Sequence, residues 1–430
     1  MFLNVVNTSM SLTGNDEDLQ ADGTYNVENP YTQKSGYGTY AIGNAQETFL
    51  GTTMDVGTYA TIFTGGVGYY GNLTAGESYE LSAADGSTHY TYEAKEDVST
   101  VINSDTFGFM SHQGDNECTL DGITVNSAFT DFIIKSGNNT TINVINDAKI
   151  NAENGILLQL LDNDDSTTEF NPNDETVGMA FGTSHEEYAG FPTEAVDITA
   201  ESDNSLADTL VAGGQPEDMG SPEGNAPDGA PGGAPGGAPG GAPGGAPGGA
   251  PGGEDQTTVN QSVYNIKDSV LTGAIYNGIG WKANDLSQGK VKQMLLDVNL
   301  SGTAALSGPI ASTACIHATY DGQNYLKENK ITAFDNDADA AAFAADYQAT
   351  SFTLAEYFNI GQVANLVKSN GLNDINVTLA DSAVWTVTDT SLITSLKISD
   401  DAQVIIEDGV TLSVNGTVYE AGTYTAADFQ

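Results

Sequence analysis

The residue pattern best suited to chemistry is a run of acidic residues in the second half of the chain. Asp335, Asp337 and Asp339 occupy positions 1, 3 and 5 of a loop whose twelfth position is Asp346. This is the spacing with which an EF-hand-like loop surrounds calcium with oxygen ligands. Ala340 stands at the sixth position, where such a loop takes glycine, and an aspartate at position 12 reaches less far than a glutamate. The pattern therefore predicts either a calcium site made of Asp335, Asp337, Asp339 and Asp346 or the simple capping of a helix.

Residues suited to catalysis are scattered along the chain. The adjacent acids Asp164-Asp165 and Asp400-Asp401 are isolated pairs. The four histidines, which have no nucleophile near them in sequence, are His89, His112, His185 and His317. An acid and base pair would serve glycoside hydrolysis, whereas aspartates in solvated turns need no partner. We expect both acidic pairs to be turn residues.

Tyrosines are concentrated between residues 25 and 92. They include Tyr37, Tyr40, Tyr59, Tyr69, Tyr70, Tyr79, Tyr90 and Tyr92. Rings aligned on an exposed sheet face would form a stacking platform for sugars, whereas the alternative is ordinary packing between strands.

The elements that must position these residues follow a repeat. Four segments carry apolar residues at offsets 0 and 2, a turn former at 4, alanine at 6 and an apolar residue at 8. They are residues 142–150, 298–306, 377–385 and 396–404, and the last two begin 19 residues apart. That period is the length of one coil of a parallel β-solenoid. The repeat predicts three stacked pairs in one core: Val377 on Leu396, Leu379 on Ile398 and Trp385 on Val404.

Composition excludes several classes of partner. The formal charge is −46, from 58 acidic and 12 basic residues, and every basic residue is lysine. A field this negative repels nucleic acids and anionic membranes. The apolar runs are too short to span a bilayer, so we expect no membrane insertion.

Cys118 and Cys315 lie far apart and do not form a disulfide framework. The mixture of Gly, Asn, Thr and Ser favours turns and short strands and is typical of a secreted repeat protein.

The chain divides into five segments by pattern. Residues 1–164 are N-terminal coils, 165–260 an acidic and Pro-Gly-Gly-Ala-rich flexible insertion, 261–320 middle coils, 321–371 a partly helical insertion, and 372–430 C-terminal coils with a cap. Within the helical insertion the pattern predicts helices over 337–347 and 361–368. In the cap, Asn415-Gly416 predicts a hairpin turn.

Three segments carry a resemblance to a known group of proteins. Residues 269–275, 384–388 and 392–396 look like the strand segments of secreted bacterial right-handed β-helix proteins of the pectate-lyase-like superfamily. Autotransporter passengers and adhesin-like surface proteins contain similar segments. The resemblance implies an all-β fold, a right-handed parallel β-helix or single-stranded β-solenoid, with a disordered Gly/Ala/Pro insertion and a small helical insertion. It also implies an extracellular or cell-surface location.

The function that this resemblance implies is binding rather than catalysis. Lyases that resemble pectate lyase use a basic residue, usually arginine, and the hydrolases carry Gly-His-Gly and Arg-x-Lys elements; this chain has neither arginine nor these elements. We expect a non-enzymatic, monomeric, adhesin-like surface protein that binds polysaccharide or cell-surface glycans or serves as a structural rod. It would require no cofactor, with calcium as the one candidate. The alternatives are a carbohydrate-binding β-helix module and a divergent polysaccharide lyase or hydrolase.

Overall fold

The computed structural model describes residues 1–12, 38–82, 89–135, 139–161, 260–278, 294–318, 320–347 and 363–429. Within these residues neighbouring strands run parallel except in four pairs. The prediction of an all-β chain built on parallel strands is therefore confirmed. The Pro-Gly-Gly-Ala tract, Asp164-Asp165 and His185 lie outside the described residues.

The strands form four larger sheets and one hairpin. Sheet 1 contains β1 (Phe2–Val6), β4 (Gln46–Leu50), β7 (Val67–Gly71), β12 (Asp115–Asp121), β15 (Asn139–Ile145), β18 (Asn260–Lys267), β21 (Met294–Ser301), β25 (Ile375–Leu379) and β28 (Ser395–Ile398). Sheet 2 contains β2 (Ser9–Leu12), β5 (Thr53–Val56), β10 (Val101–Ser104), β13 (Thr124–Ser127) and β16 (Lys149–Ala152). Sheet 3 contains β3 (Thr39–Ile42), β6 (Thr61–Thr64), β11 (Phe109–Gln113), β14 (Phe132–Lys135), β17 (Ile156–Leu161), β20 (Ala274–Gly278), β23 (Ile310–His317), β24 (Val363–Val367), β27 (Ser391–Ile393), β30 (Leu412–Val414) and β31 (Thr417–Tyr419). Sheet 4 contains β19 (Val270–Thr272), β22 (Ala305–Ser307), β26 (Val384–Val387), β29 (Gln403–Ile406) and β32 (Gly422–Tyr424). The hairpin pairs β8 (Ser78–Ser82) with β9 (His89–Glu93).

The chain visits these sheets in a fixed rotation. From sheet 1 it enters sheet 2, or sheet 4 in the second half of the chain, then sheet 3, and then returns to sheet 1. Each strand pairs with its counterpart in the next circuit, as when Val144 pairs with Ile266 and Ile266 with Leu300. Sheets 2 and 4 therefore take the same place in the rotation.

The predicted repeat register is confirmed. Val377 pairs with Leu396 and Leu379 with Ile398, while Trp385 pairs with Val404 in the neighbouring sheet. Val377, Leu379, Trp385 and Val404 are buried in one core cluster. Leu396 and Ile398 are only partly buried, because β28 is the last strand of sheet 1 among the described residues.

The turns between sheets explain the alanine of the repeat. The four repeat alanines, Ala148, Ala304, Ala383 and Ala402, have no exposed surface. Two residues earlier, Asn146, Gly302 and Asp381 have φ values of 58°, 65° and 55°. This left-handed conformation favours Gly, Asn or Asp. At three of the four corners a left-handed residue thus comes first, and at all four the side chain that re-enters the core is a methyl group.

The insertion after β23 is helical in part. It contains α1 (Tyr320–Glu328) and α2 (Asp337–Tyr347), so the helix predicted over 337–347 is confirmed. The helix predicted over 361–368 is wrong, because Val363–Val367 is a strand antiparallel to β23. Its Leu366 packs with Leu326 and Phe343 of the two helices, and its Val367 packs, partly buried, against Tyr276 and Ala311 of sheet 3. This tertiary packing overrides local helix propensity. In the described part of the chain, no helix has the length and apolar character needed to span a membrane.

The C-terminal residues fold back over the last strands, as predicted. Leu412 to Val414 pair antiparallel with Thr417 to Tyr419 around the turn at Asn415-Gly416, and β32 pairs antiparallel with β29. A final 3-10 turn, Ala426–Phe429, places Phe429 against Tyr419, with ring centroids 4.8 Å apart. An aromatic cap therefore covers the end of the core.

Candidate functional site

The helical insertion is fixed to the outer face of sheet 3 by buried polar contacts. Asn365 of β24 donates through Nδ2 to Gln159 Oε1 at 2.9 Å and accepts at Oδ1 from Thr313 Oγ1 at 2.9 Å. The hydroxyl groups of Tyr276 and Thr332 lie 2.8 Å apart. Because buried polar groups of this kind are costly to leave unpaired, these bonds hold the insertion in one position.

Four aromatic rings from three parts of the insertion form a cluster. Tyr325 of α1 stacks on Tyr347 of α2 with ring centroids 5.1 Å apart, and Tyr347 lies 5.2 Å from Phe343. Phe334, in the segment between the helices, lies 5.4 Å from Phe343. Phe343 is buried, whereas the side chain of Tyr325 is 39% exposed. The cluster thus extends from a closed interior to an open ring face.

Beside these rings is a pocket of about 520 Å³. Three acidic residues that the sequence singled out, Asp335, Asp339 and Asp346, line it together with Asn336. Asp337 does not line this pocket and instead accepts from Lys368 Nζ at 3.3 Å. We call this cavity, with its aromatic and acidic lining, the helix pocket.

Hydrogen bonds at the start of α2 match the capping alternative. Asn336 Oδ1 accepts from the main-chain N–H of Asp339 at 3.0 Å, and Asn336 Nδ2 donates to Asp339 Oδ2 at 2.9 Å. This reciprocal arrangement satisfies a helix N-terminus. Among the described residues, no three His, Cys, Asp or Glu side chains are placed to share a metal ion. The calcium site stays a prediction.

The electrostatic effect of the pocket reaches the sheet beneath it. Burial raises the pKa of Asp389, and the nearby carboxylate of Asp335 raises it further. Burial likewise raises the pKa of Tyr276, to which Asp335 adds a smaller effect in the same direction. The helix pocket is therefore a region of negative potential bordered by apolar ring faces, an environment that accepts hydroxyl or ammonium donors.

The other sequence candidates lie apart from this pocket. Asp400 and Asp401 are exposed in the turn before β29, as expected for turn residues. His89 is in the β8–β9 hairpin, while His112 and His317 lie in β11 and β23. Cys118 is buried in the core, and neither it nor Cys315 forms a disulfide.

The N-terminal tyrosines do not form one platform. Tyr59 and Tyr70 are core residues, whereas Tyr40 and Tyr90 are exposed at 50% and 58% on different elements. Tyr79 pairs with Tyr92 within the β8–β9 hairpin. Tyr37 lies outside the described residues. For the described members of the group, packing between strands is the better interpretation.

The aromatic half of the helix pocket was missed by sequence reasoning. Phe343 and Tyr347 lie four residues apart on α2, so their shared helix face was available as a signal. Tyr325 and Phe334 come from other elements, and no local spacing connects them to that face.

The chain matches no family model, no curated protein and no solved structure.

Proposed function

We propose that this chain is a parallel β-helix that acts as a non-enzymatic, extracellular or surface-attached binding protein for glycans. The rotation of the chain through three sheet positions, with parallel pairing between successive circuits, supports the β-helix. The handedness remains part of the proposal, as does the likeness to pectate-lyase-like proteins. The strongly acidic composition, without arginine and with two cysteines, fits an exposed and soluble surface protein.

The helix pocket is the observation that carries glycan binding. A sugar ring presents C–H groups on its faces and hydroxyl groups at its edge. The exposed face of Tyr325 suits the first, and the carboxylates of Asp335 and Asp346 can accept hydrogen bonds from the second. A concave site with an apolar wall and a few oriented polar groups is the usual form of a small-ligand site.

A glycan array tests whether the purified chain binds glycans, and we expect it to bind a subset of them. Titration calorimetry with a bound glycan, run with and without calcium, then shows whether the ion contributes to the affinity. We expect Tyr325→Ala and Asp346→Asn to weaken binding by roughly tenfold each, because each removes one class of contact. Tyr90→Ala and Asp401→Asn, at exposed positions away from the pocket, are the matched controls.

Two results would count against glycan binding at this pocket. A chain that retains no glycan in either buffer would favour the structural rod. Retention that survives both pocket variants would place the glycan site elsewhere.

A further inference from the structure

The helix pocket carries negative charge that no basic side chain in its lining balances. Asp335, Asp339 and Asp346 line it, and none of its described lining residues is Lys, Arg or His. Lys368 belongs to the same insertion, but it forms its ion pair with Asp337, and neither of these two residues lines the pocket. The described lining of the pocket therefore contains no counter-ion for its carboxylates.

Two of these carboxylates are open to a ligand. Within the described part of the chain, Asp335 and Asp346 neither accept a hydrogen bond nor form an ion pair, whereas Asp339 accepts a bond from Asn336 Nδ2. Asp335 and Asp346 are also exposed, so a ligand can reach them from solvent. Two open acceptors of like charge favour a ligand that brings positive charge.

The position of Asp346 on α2 adds to the need for positive charge. Asp346 is the residue before the last one of this helix, and the last turn of α2 contains no basic residue. The final carbonyl groups of a helix carry negative partial charge, which favours a cation nearby and disfavours an acid. A cation bound beside Asp346 would compensate both the carboxylate and the helix end.

The arrangement suits an organic cation better than a metal ion. Calcium takes about six to eight oxygen ligands around one point, whereas in the described part of the chain no three His, Cys, Asp or Glu side chains are placed to share an ion. The carboxylates instead border a cavity of about 520 Å³ whose lining includes the rings of Tyr325, Phe343 and Tyr347. Aromatic rings do not coordinate a hard cation, but their faces attract an ammonium group.

Tyr325 offers the ring face on which such a group can rest. Its side chain is 39% exposed, and its ring stacks on Tyr347 with centroids 5.1 Å apart. The stack fixes the orientation of the Tyr325 ring, and the exposed part of the ring is available to a ligand. An ammonium group binds favourably within about 6 Å of a ring centroid. The pocket thus combines an apolar ring face with carboxylates that lack a cation.

We propose that the glycans bound in the helix pocket carry free amino groups, as deacetylated amino sugars do. Their ammonium group would pair with Asp335 or Asp346 and lie against Tyr325. Glycans that carry sulfate or carboxylate groups would be repelled by the same charges. This inference rests on the glycan binding proposed above and adds the charge class of the glycan.

Two oligosaccharides that differ only at their nitrogen atoms test the proposal. Chitotriose, in which the sugar amines are free, is compared with N,N′,N″-triacetylchitotriose by titration calorimetry with the full chain. The pH is set so that the sugar amines are protonated. We expect the amino form to bind tighter by roughly tenfold or more, because the acetyl groups remove both the charge and its attraction to the ring.

Matched acidic variants separate the pocket from the overall charge of the chain. Asp346→Asn and Asp401→Asn each remove one negative charge, but Asp401 lies exposed in the turn before β29. A general attraction to an acidic chain would change equally in both variants. We expect Asp346→Asn to lose most of the preference for the amino form and Asp401→Asn to keep it. Tyr325→Leu, which keeps apolar bulk without a ring, should also reduce the preference.

The outcomes separate this inference from glycan binding itself. Equal affinity for both oligosaccharides, or tighter binding of the acetylated form, would overturn the amino preference and leave glycan binding standing. Equal losses in the Asp346→Asn and Asp401→Asn chains would overturn it as well, because the attraction would then belong to the whole surface.

A probe without a sugar covers the case in which the chain binds no glycan. Tetramethylammonium, titrated alone, offers only a positive charge and apolar methyl groups. Binding that Tyr325→Leu abolishes would support an ammonium site and remove the glycan from the proposal. The absence of binding to tetramethylammonium and to both oligosaccharides would overturn the two proposals together.

Discussion

Trp385 and Val404 are direct partners across one parallel strand pair, and both side chains are fully enclosed in the same core. The indole Nε1 of Trp385 donates to the main-chain oxygen of Gly308 at 2.9 Å, so the one polar atom of this ring is satisfied. The row continues to Leu306, which pairs with Trp385 from the preceding strand. Each member of the row is thus covered by the one before it and the one after it, and a charge placed in the row has no route to solvent.

Val404→Asp should therefore destabilise the C-terminal strands strongly. A carboxylate without a partner in this core costs on the order of 3 kcal/mol or more. Its neighbour Ile405 is only partly buried and points to the other face of β29. Ile405→Asp is the control, and its effect should be much smaller. Denaturant unfolding of both variants measures the difference, and the reverse ranking would contradict the assigned facing of β29.

The sequence predicted this row because its signal is local and repeated. Alternating apolar residues identify the inward side of a strand, and a second copy of the pattern gives the register between strands. The strand Val363–Val367 carried no such signal. It pairs with β23 across the whole helical insertion, and a five-residue segment of this composition is compatible with helix or strand until a partner is present.

The candidate site was predictable only in part, for the same reason. The spacing of Asp335, Asp339 and Asp346 in the sequence predicted that they share one site, and all three line one pocket. Spacing could not show that Asp337 turns to Lys368. Nor could it show that Tyr325 of α1 stacks on Tyr347 of α2, because that contact depends on how the two helices pack. The aromatic wall, which changes the expected ligand from a hard cation to a sugar, was therefore hidden from sequence reasoning.

The repeat alanine should tolerate no larger side chain. Ala304 has no exposed surface, whereas the adjacent Ala305 is partly exposed on β22. Adding three carbon atoms at the corner forces backbone or side-chain shifts that cost about 1 to 3 kcal/mol. We expect Ala304→Leu to lower the free energy of unfolding by this amount and Ala305→Leu to change it far less. Equal losses in denaturant unfolding would show that the corner has spare room.

The insertion should detach when its buried amide is removed. Asn365 is 1% exposed and bonds to both Gln159 and Thr313. Asn365→Leu removes these hydrogen bonds at a cost of about 2 kcal/mol. We expect faster proteolysis within α1 and α2, while the far-ultraviolet circular dichroism signal of the β-sheets stays unchanged. Glu328→Leu, at an exposed position at the end of α1, is the control and should leave the cleavage rate unchanged.

Asp131 should make the chain less stable as the pH rises. Its side chain is buried, its Oδ1 atom has no hydrogen-bond partner among the described residues, and burial raises its pKa to about 8. Between its ordinary pKa of 3.8 and this value, the folded chain holds a proton that the unfolded chain has released. The stabilising contribution is complete below the lower pKa, and the free energy of unfolding falls as the pH rises through this window.

Denaturant unfolding of the wild-type chain and of Asp131→Asn isolates this effect. We expect the wild-type chain to lose about 3 to 4 kcal/mol relative to the variant between about pH 5 and pH 8. The variant keeps the shape of the side chain but has no proton to release, so the remaining acidic residues affect both chains alike. Burial also raises the pKa of Glu47, and because Glu47 is present in both chains, its contribution cancels in the difference. Parallel stability curves for the two chains would show that Asp131 is ionised in the folded state and has found a partner or solvent.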